Sequence, residues 1–586
     1  MNFAPTISIE PRIRNSFLHQ MRRLLGACGL VGVVRARRLN SVIPPLRCLV
    51  TRFVIASALT ARLTAAPASP ELAAKIDGLF AKWDRADTPG VAVAIARDGE
   101  TIFSRGYGRA NLEHNIALTP DTVTESGSVA KQFTAAAVVL LAEHGRLSLD
   151  DSIRKHLPEM PAALANGITV RMLLNHTSGL RDIHGLFELM GRPSYSGSHD
   201  NADVVRVMSR QRDLNFAPGT EYKYCNAAYI LAAVIVERAS KQTFGAFSTE
   251  HIFRPRGMTQ TLWRDNFKTV IPGRATGYSP REGGGYEIDT PCSNLVGNGG
   301  LLTTAGDLLK WNASFVGATG EWRRVVTALQ TPSKLRDGRD IDYGLGLTIT
   351  EAGGVKEISH GGSTSGYKTF LAWFPEQRVS FALLSNAGNF NPSSAARELR
   401  QALLDLPAPQ QQQRVAVAEA DLAGLAGMYH AAQTDDLIVL TVSDGKLFSD
   451  GSELVPTGPG RFTSANNGTN FSFSAEPPHH LKIATRNATA DYVAVTTAQP
   501  SAAQLASYAG TYRSDELDVT HVLTVEADRM SVGRWPGSPL AAESTFADGF
   551  KFGRGWHATF TRDAAGAITG YECTNERCRR VKFSRL

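Results

Sequence analysis

The C-terminal part of the chain repeats itself. Leu422, Gly427, Tyr429 and the run Leu440-Thr441-Val442 recur as Leu505, Gly510, Tyr512 and Leu523-Thr524-Val525. Every pair is offset by 83 residues, with no gap. A gap-free offset over six positions means two copies of one structural unit. The region consists of short alternating segments broken by turn residues, which predicts antiparallel β structure. Each copy is long enough to close as a small barrel. The expectation is a β-barrel domain at 417–500 and a second, related one at 501–586.

Upstream of the repeat the composition shifts. Leu406-Pro407-Ala408-Pro409 followed by Gln410 to Gln413 reads as a linker, 406–416. Before it, Val91, Val93 and Ile95 alternate up to Asp98-Gly99, and Ile102 and Phe103 follow, a hairpin signal. A helix is predicted after Ser128, ending at Gly145, and another over about Ala227–Arg238. Strands Thr369–Phe374 and Val379–Ser385 flank Pro375-Glu376-Gln377, and a helix over about Ser394–Leu404 closes the block. Strands, then helices, then strands predict one α+β domain over 69–405.

The net charge of +7 hides an asymmetry. Residues 1–70 carry ten Arg, no Lys and one acid, Glu10, so the rest of the chain is close to neutral. A basic surface for nucleic acid is therefore not implied. Arg47 and Arg52 precede an apolar stretch, Phe53 to Leu63, and then Ala66-Pro67-Ala68. This is the pattern of a secretory signal cleaved after Ala68, with 1–68 removed or disordered and the mature protein periplasmic or secreted. The alternative is a basic tail on a cytoplasmic protein. Of six cysteines, Cys28 and Cys48 lie in this segment, and Cys573 and Cys578 are spaced to bridge a hairpin. Cys225 and Cys292 are expected as buried thiols. No spacing suits zinc, and no metal or organic cofactor is expected.

Three motifs carry the chemistry. In Ser128-Val129-Ala130-Lys131 the hydroxyl and amine are almost one helical turn apart and share a face. A Ser needs a base to become a nucleophile, and a Lys serves if its surroundings lower its pKa. The pattern S-x-x-K also occurs at Ser152, Ser365 and Ser443, so its company matters. Gly127 precedes Ser128, a strong helix follows, and Tyr224-Cys225-Asn226 and His360-Gly361-Gly362-Ser363 lie downstream. A tyrosinate exchanges protons with a nucleophile and a leaving group, and an Asn amide holds a carbonyl. Glycines before a strand let a substrate backbone lie close, and strand N–H groups complete an oxyanion hole.

Together these motifs resemble the penicillin-recognising serine hydrolases, which include serine β-lactamases, D,D-peptidases, D-aminopeptidases and related esterases. Leu173-Leu174-Asn175-His176-Thr177-Ser178-Gly179-Leu180 and Gly299-Gly300-Leu301-Leu302-Thr303-Thr304-Ala305 are similar to that family as well, as scaffold turns. The resemblance implies a serine β-lactamase/D,D-peptidase-like catalytic domain, an antiparallel sheet with helices. It implies Ser128 as the acylated nucleophile, Lys131 as base, Tyr224 as proton relay and Asn226 as a substrate-orienting amide. Gly361, Gly362 and Ser363 line the substrate strand, with the N–H groups of Ser128 and Ser363 as the oxyanion hole. His360 stands where many relatives carry the Lys of Lys-Thr-Gly. A neutral His suits a substrate carboxylate less well than Lys, which lowers β-lactamase and D,D-carboxypeptidase activity.

A catalytic domain followed by two repeated barrels is similar to the D-aminopeptidase branch, as are Tyr512 to Asp518 and Thr561 to Gly570. In that branch a long loop of the last domain reaches the active site. Here the corresponding stretch, Phe550 to Trp556, is short, which implies a more open cleft. The leading reading is a D-aminopeptidase-like hydrolase of small amides and peptides. An esterase with the same serine chemistry and a binding protein working through its barrels are the alternatives. The expected partner is a small amide, peptide or ester, with no nucleic acid and no membrane span in the mature chain, and a homodimer is left open.

Overall fold

The computed structural model describes residues 66–586 apart from 193–196, 405, 407–413, 466–467, 477–478, 486, 527 and 554. The signal reading, with Cys28 and Cys48, and most of the linker lie outside the described residues.

The catalytic part is built on a six-stranded antiparallel sheet. In spatial order the strands are Thr348–Ala352, Val355–Thr364, Tyr367–Phe374, Val379–Ser385, Val91–Arg97 and Glu100–Tyr107. The first and last strands of the chain order meet at the centre, where Val91 pairs with Ser385 and Arg97 with Val379. The predicted hairpin forms at Asp98-Gly99, both in the left-handed region (φ 55° and 83°), as a tight turn between twisted strands requires. Both faces of the central strand are covered. Val91, Val93 and Ile95 pack with Ile76 and Phe80 of the helix Pro70–Phe80 and Leu399 of the helix Pro392–Leu404. Ala92, Ala94 and Ala96 face the helical layer, where their small side chains let the helix Ala305–Ala313 approach.

That layer centres on two packed helices, Lys131–Glu143 and Asn226–Ser240. The first is buried from Lys131 to Leu141 and the second from Asn226 to Val236. Gly145 follows the first helix at φ 66° as its stop.

The repeat closes into two eight-stranded antiparallel barrels. Their strands run from Gly427–Ala431 to Thr489–Val495 and from Gly510–Ser514 to Val581–Arg585. Each barrel is preceded by a one-turn-plus helix, Glu419–Leu425 and Ala502–Tyr508. The repeated tyrosines do the same work in both copies. Tyr429 Oη donates to Leu425 O at 2.9 Å and Tyr512 Oη to Tyr508 O at 2.8 Å, tying the first strand to its helix. The second barrel shares a continuous apolar core with the helical layer, whereas the first has its own.

The cysteine expectations need correction. Among the described residues no cysteine is in a disulfide. Cys573 and Cys578 are both buried thiols of the apolar core, and Cys578 donates to Asp182 O at 3.3 Å. Cys225 is buried as expected, but Cys292 is exposed. No helix of the described residues is long and apolar enough to cross a membrane.

Candidate active site

Ser128 sits in a tight turn, Gly127–Ala130, that runs directly into the helix Lys131–Glu143. This continuity puts Lys131 Nζ 3.0 Å from Ser128 Oγ, on the shared face the spacing predicted. Lys131 is fully buried. Its ammonium donors reach Ser128 Oγ, Asn226 Oδ1 at 2.9 Å and Asn298 O at 2.7 Å, none of them a carboxylate. Burial therefore holds Lys131 well below the ordinary lysine range, with the Asp182 carboxylate pulling the other way. This is the environment an amine base needs near neutral pH.

Tyr224 is packed between this lysine and an aromatic wall. Lys131 Nζ lies 4.7 Å from its ring centre, and the His176 ring stacks on it at 4.2 Å. The Cys225 N–H donates to His176 Nδ1 at 3.1 Å, so His176 carries its proton on Nε2 and is neutral. The Asn175–Leu180 turn thus fixes Tyr224 through His176. Tyr224 hydrogen-bonds Ser128, and burial pushes its phenol far above the ordinary tyrosine value. A phenol so held can give its proton to a leaving group.

Asn226 opens the second central helix. Its backbone N–H and its Nδ2 both donate to Asp182 Oδ2, at 2.5 and 2.9 Å. With Oδ1 on Lys131, one amide hydrogen remains for a ligand, and Asn226 lines the cleft.

The third motif lies on the strand Val355–Thr364 as expected. His360 is buried, its Nδ1 lying 2.6 Å from Gly361 O and its Nε2 2.9 Å from Tyr343 Oη. A carbonyl only accepts, so Nδ1 holds the proton and Tyr343 donates to Nε2. Burial, reinforced by Lys131, lowers His360 to about 4, so it is neutral at physiological pH. Both nitrogens are committed to protein groups. Gly361, Gly362 and Ser363 line the same cleft as Ser128. The glycines are required by close approach. A Cβ at Gly362 would sit 2.1 Å from Ser126 O and 3.2 Å from Ser128 N, and one at Gly127 (φ 50°) only 2.7 Å from Ser363 N. The backbones at 127–128 and 362–363 are thereby pressed together beside Ser128 Oγ.

The structure adds residues the motifs did not reveal. Asp182 orients Asn226, Asn298 supplies a carbonyl to Lys131, and Tyr343 holds His360. Lys368 Nζ donates to Ser363 Oγ and Ser365 O, both at 2.9 Å, placing a cation beside the substrate strand. It belongs to one of the other S-x-x-K patterns, whose spacing here serves a strand turn. Arg577 comes from the second barrel. It lines the cleft with Ser128, Tyr224 and Ser363, its guanidinium 5.3 Å from the Tyr224 ring centre. The turn carrying it is pinned by Asn215 Nδ2 donating to Arg577 O at 2.8 Å and Arg579 N donating to Asn215 Oδ1 at 2.8 Å. Lys223 Nζ also donates to Glu576 O. The short 550–556 stretch leaves one wall of the cleft to this turn, which contributes Arg577. Trp556 of that stretch donates to Glu188 Oε2 at 3.0 Å. The run Arg577, Arg579, Arg580 beside Cys578 was the available sequence signal.

The chain is similar to known proteins along most of its length. The Beta-lactamase family model matches residues 74–406. The D-aminopeptidase of Brucella canis is 29% identical over 522 residues, covering 85% of this chain and 96% of that protein. The D-aminopeptidase of Brucella anthropi is 29% identical over 528 residues, covering 85% and 95%. The octameric penicillin-binding protein homologue from Pyrococcus abyssi superimposes with a TM-score of 0.52 at 22% identity, covering 72% of this chain and 99% of that one, a likeness of fold. With more than half of its length matched and Ser128, Lys131 and Tyr224 assembled in one cleft, the chain belongs to the Beta-lactamase family.

Proposed function

We propose that this protein is a serine hydrolase that cleaves amide bonds of small D-residue substrates through an acyl-enzyme on Ser128. The observation that carries it is the fully buried Lys131 amine, 3.0 Å from the Ser128 hydroxyl and without a carboxylate partner. In the reaction, neutral Lys131 takes the Ser128 proton as Oγ attacks the substrate carbonyl. The oxyanion forms between the N–H groups of Ser128 and Ser363, which need no reorganisation to meet it. Tyr224 gives its phenolic proton to the departing amine and regains one through Ser128 and Lys131. Water then attacks the ester by the reverse route and frees Ser128. Asn226 holds the acyl side of the substrate. His360 is a positioning residue that fixes the strand through Gly361 and Tyr343. The relatives named D-aminopeptidase support an amide substrate with a D-residue.

The test is p-nitroaniline release from D-alanine and L-alanine p-nitroanilides by the full chain, with Ser128→Ala as control. Release from the D form that disappears in the variant is the expected result. No release from either, together with no Ser128-dependent labelling by a covalent serine probe, would overturn the reading. Esterase activity is separated by Tyr224→Phe, which lowers anilide cleavage by roughly 10²–10⁴-fold and spares activated esters, because only the amine needs a proton to depart. Export is part of the same reading. A mature N-terminus near Ser69 supports it, and an intact Met1 in cells removes it.

One observation favours a second substrate reading. Arg577 sets a cation at the mouth where a neutral His360 supplies none. Such a wall attracts a carboxylate and repels an ammonium, so substrates whose leaving group bears a carboxylate, as in D,D-carboxypeptidase chemistry, suit it.

A further inference from the structure

Away from the cleft, one cluster of side chains joins the two barrels. His430 lies on the strand Gly427–Ala431 of the first barrel, and Asp435 in the turn that follows. His557 lies on the strand Trp556–Arg562 of the second. One ligand-type atom from each lies within 4.8 Å of the other two. Asp435 is 3% exposed and His557 6%.

The hydrogen bonding around this group is incomplete in a specific way. Asp435 Oδ1 accepts from His430 Nε2 at 2.8 Å and from Thr559 Oγ1 at 2.9 Å, and Oδ2 accepts from Thr574 Oγ1 at 3.0 Å. The carboxylate is thus aimed by two hydroxyls of the second barrel. His557 has no hydrogen-bond partner on either ring nitrogen although both are buried. Leaving such groups unsatisfied is costly, and buried orphans of this kind call for a ligand. His557 Nδ1 stands 3.7 Å from Asp435 Oδ2, too long for a hydrogen bond. It is close to the spacing of two donors on one ion, since bonds of about 2.0–2.2 Å at the tetrahedral angle set donors about 3.3–3.6 Å apart.

We infer that His430, Asp435 and His557 form a divalent metal site that staples the first barrel to the second. Two imidazoles and a carboxylate are a nitrogen/oxygen set suited to zinc, with water completing four-coordination. Thr559 and Thr574 hold the carboxylate from outside, the usual support of a metal ligand. Binding moves His430 Nε2 from its bond with Asp435 onto the ion, the ring proton passing to Nδ1. The site also sits at the root of the active-site turn, because Thr574 immediately precedes Asn575–Arg580.

The test is metal binding by the untagged full-length protein. After chelation and exchange, zinc chloride alone is titrated calorimetrically, and cobalt chloride is added to a second sample for its visible spectrum. The expected result is one tight equivalent, a tetrahedral cobalt spectrum, and binding at least 100-fold weaker in His557→Ala and Asp435→Asn. The melting temperature of the wild type should rise with zinc and fall back with chelator, which needs no variant to fold. No tight equivalent and no zinc-dependent melting shift would overturn the proposal. So would undiminished binding in a folded His557→Ala. Anilide hydrolysis is read in parallel, so loss of the metal and failure of the catalytic reading remain distinguishable.

Discussion

Arg181 of the catalytic domain and Glu516 of the second barrel form an ion pair, 2.7 Å from Nη1 to Oε2, with both side chains buried. The same guanidinium donates to Arg579 O at 2.9 Å and Arg580 O at 2.8 Å, the end of the turn that carries Arg577. Glu516→Ala would leave a guanidinium buried without its charge partner. The expected loss is ~3–5 kcal/mol of stability, because breaking one side of a buried pair is worse than never having it. A double-mutant cycle with Arg181→Met, read by denaturant unfolding, should return a coupling of ~0.5–3 kcal/mol. A Glu516→Ala protein that unfolds at the wild-type midpoint would show that the barrel is not held by this pair.

Gly362 is the most crowded glycine of the site. Its missing Cβ is what lets the strand lie against Ser126 and Ser128. Gly362→Ala should push the strand off and widen the gap between the N–H groups of Ser128 and Ser363. A cut of roughly 10²–10³ in kcat is expected, the cost of losing one oxyanion donor, together with a lower melting temperature, because the clash is with backbone and costs about 1–3 kcal/mol. Unchanged acylation in stopped-flow measurements would place the oxyanion elsewhere.

Several imidazoles set the acid limit of stability, because burial lowers His176, His184 and His199 as well as the two described next. His360 and His521 are each lowered to about 4, chiefly by burial. Their unfolded forms titrate near 6.5. Between these values the unfolded chain binds protons that the native state refuses, so stability is full above about pH 6.5 and falls as the pH drops toward 4. Each contributes roughly 3 kcal/mol to this loss when complete. Denaturant midpoints at several pH values from 7.5 to 4.5 should decline accordingly, and His521→Gln should flatten the decline. Activity follows a separate titration. Lys131 works as the neutral amine, so kcat/KM should rise with pH through its lowered pKa.

The parts legible in the sequence are those whose reason is local. Ser128 with Lys131 is one helical turn, Tyr224 with Asn226 is a helix start, and the offset of 83 maps the helix and opening strands of one barrel onto the other. The hairpin at Asp98-Gly99 and the strand Val379–Ser385 also follow from pattern alone. What was hidden depends on distant packing. Asp182 reaches Asn226 across 44 residues and Asn298 reaches Lys131 across 167, with no motif linking them. The spacing of Cys573 and Cys578 is the same whether the thiols pair or stay free, and only the barrel core decides. The ionisation of Tyr224 is set by burial, which residue order does not disclose.

Arg577 tests whether the second barrel chooses the substrate. Its guanidinium is partly exposed and stands over Tyr224, the group that meets the leaving amine. A carboxylate on the leaving group should therefore gain a charge-assisted hydrogen bond of about 1.5–3 kcal/mol. That corresponds to roughly 10- to 150-fold in kcat/KM. Arg577→Gln should lower kcat/KM by this factor for a D-alanyl substrate with a carboxylated leaving group, and hardly at all for the matching neutral amide. A substrate with a free amine on that side should improve, because a like charge has been removed. Because Asn215 holds the backbone of the turn at Arg577 O and Arg579 N, the variant should keep its fold. Equal losses on carboxylated and neutral substrates would mean that Arg577 supports Tyr224 rather than the substrate.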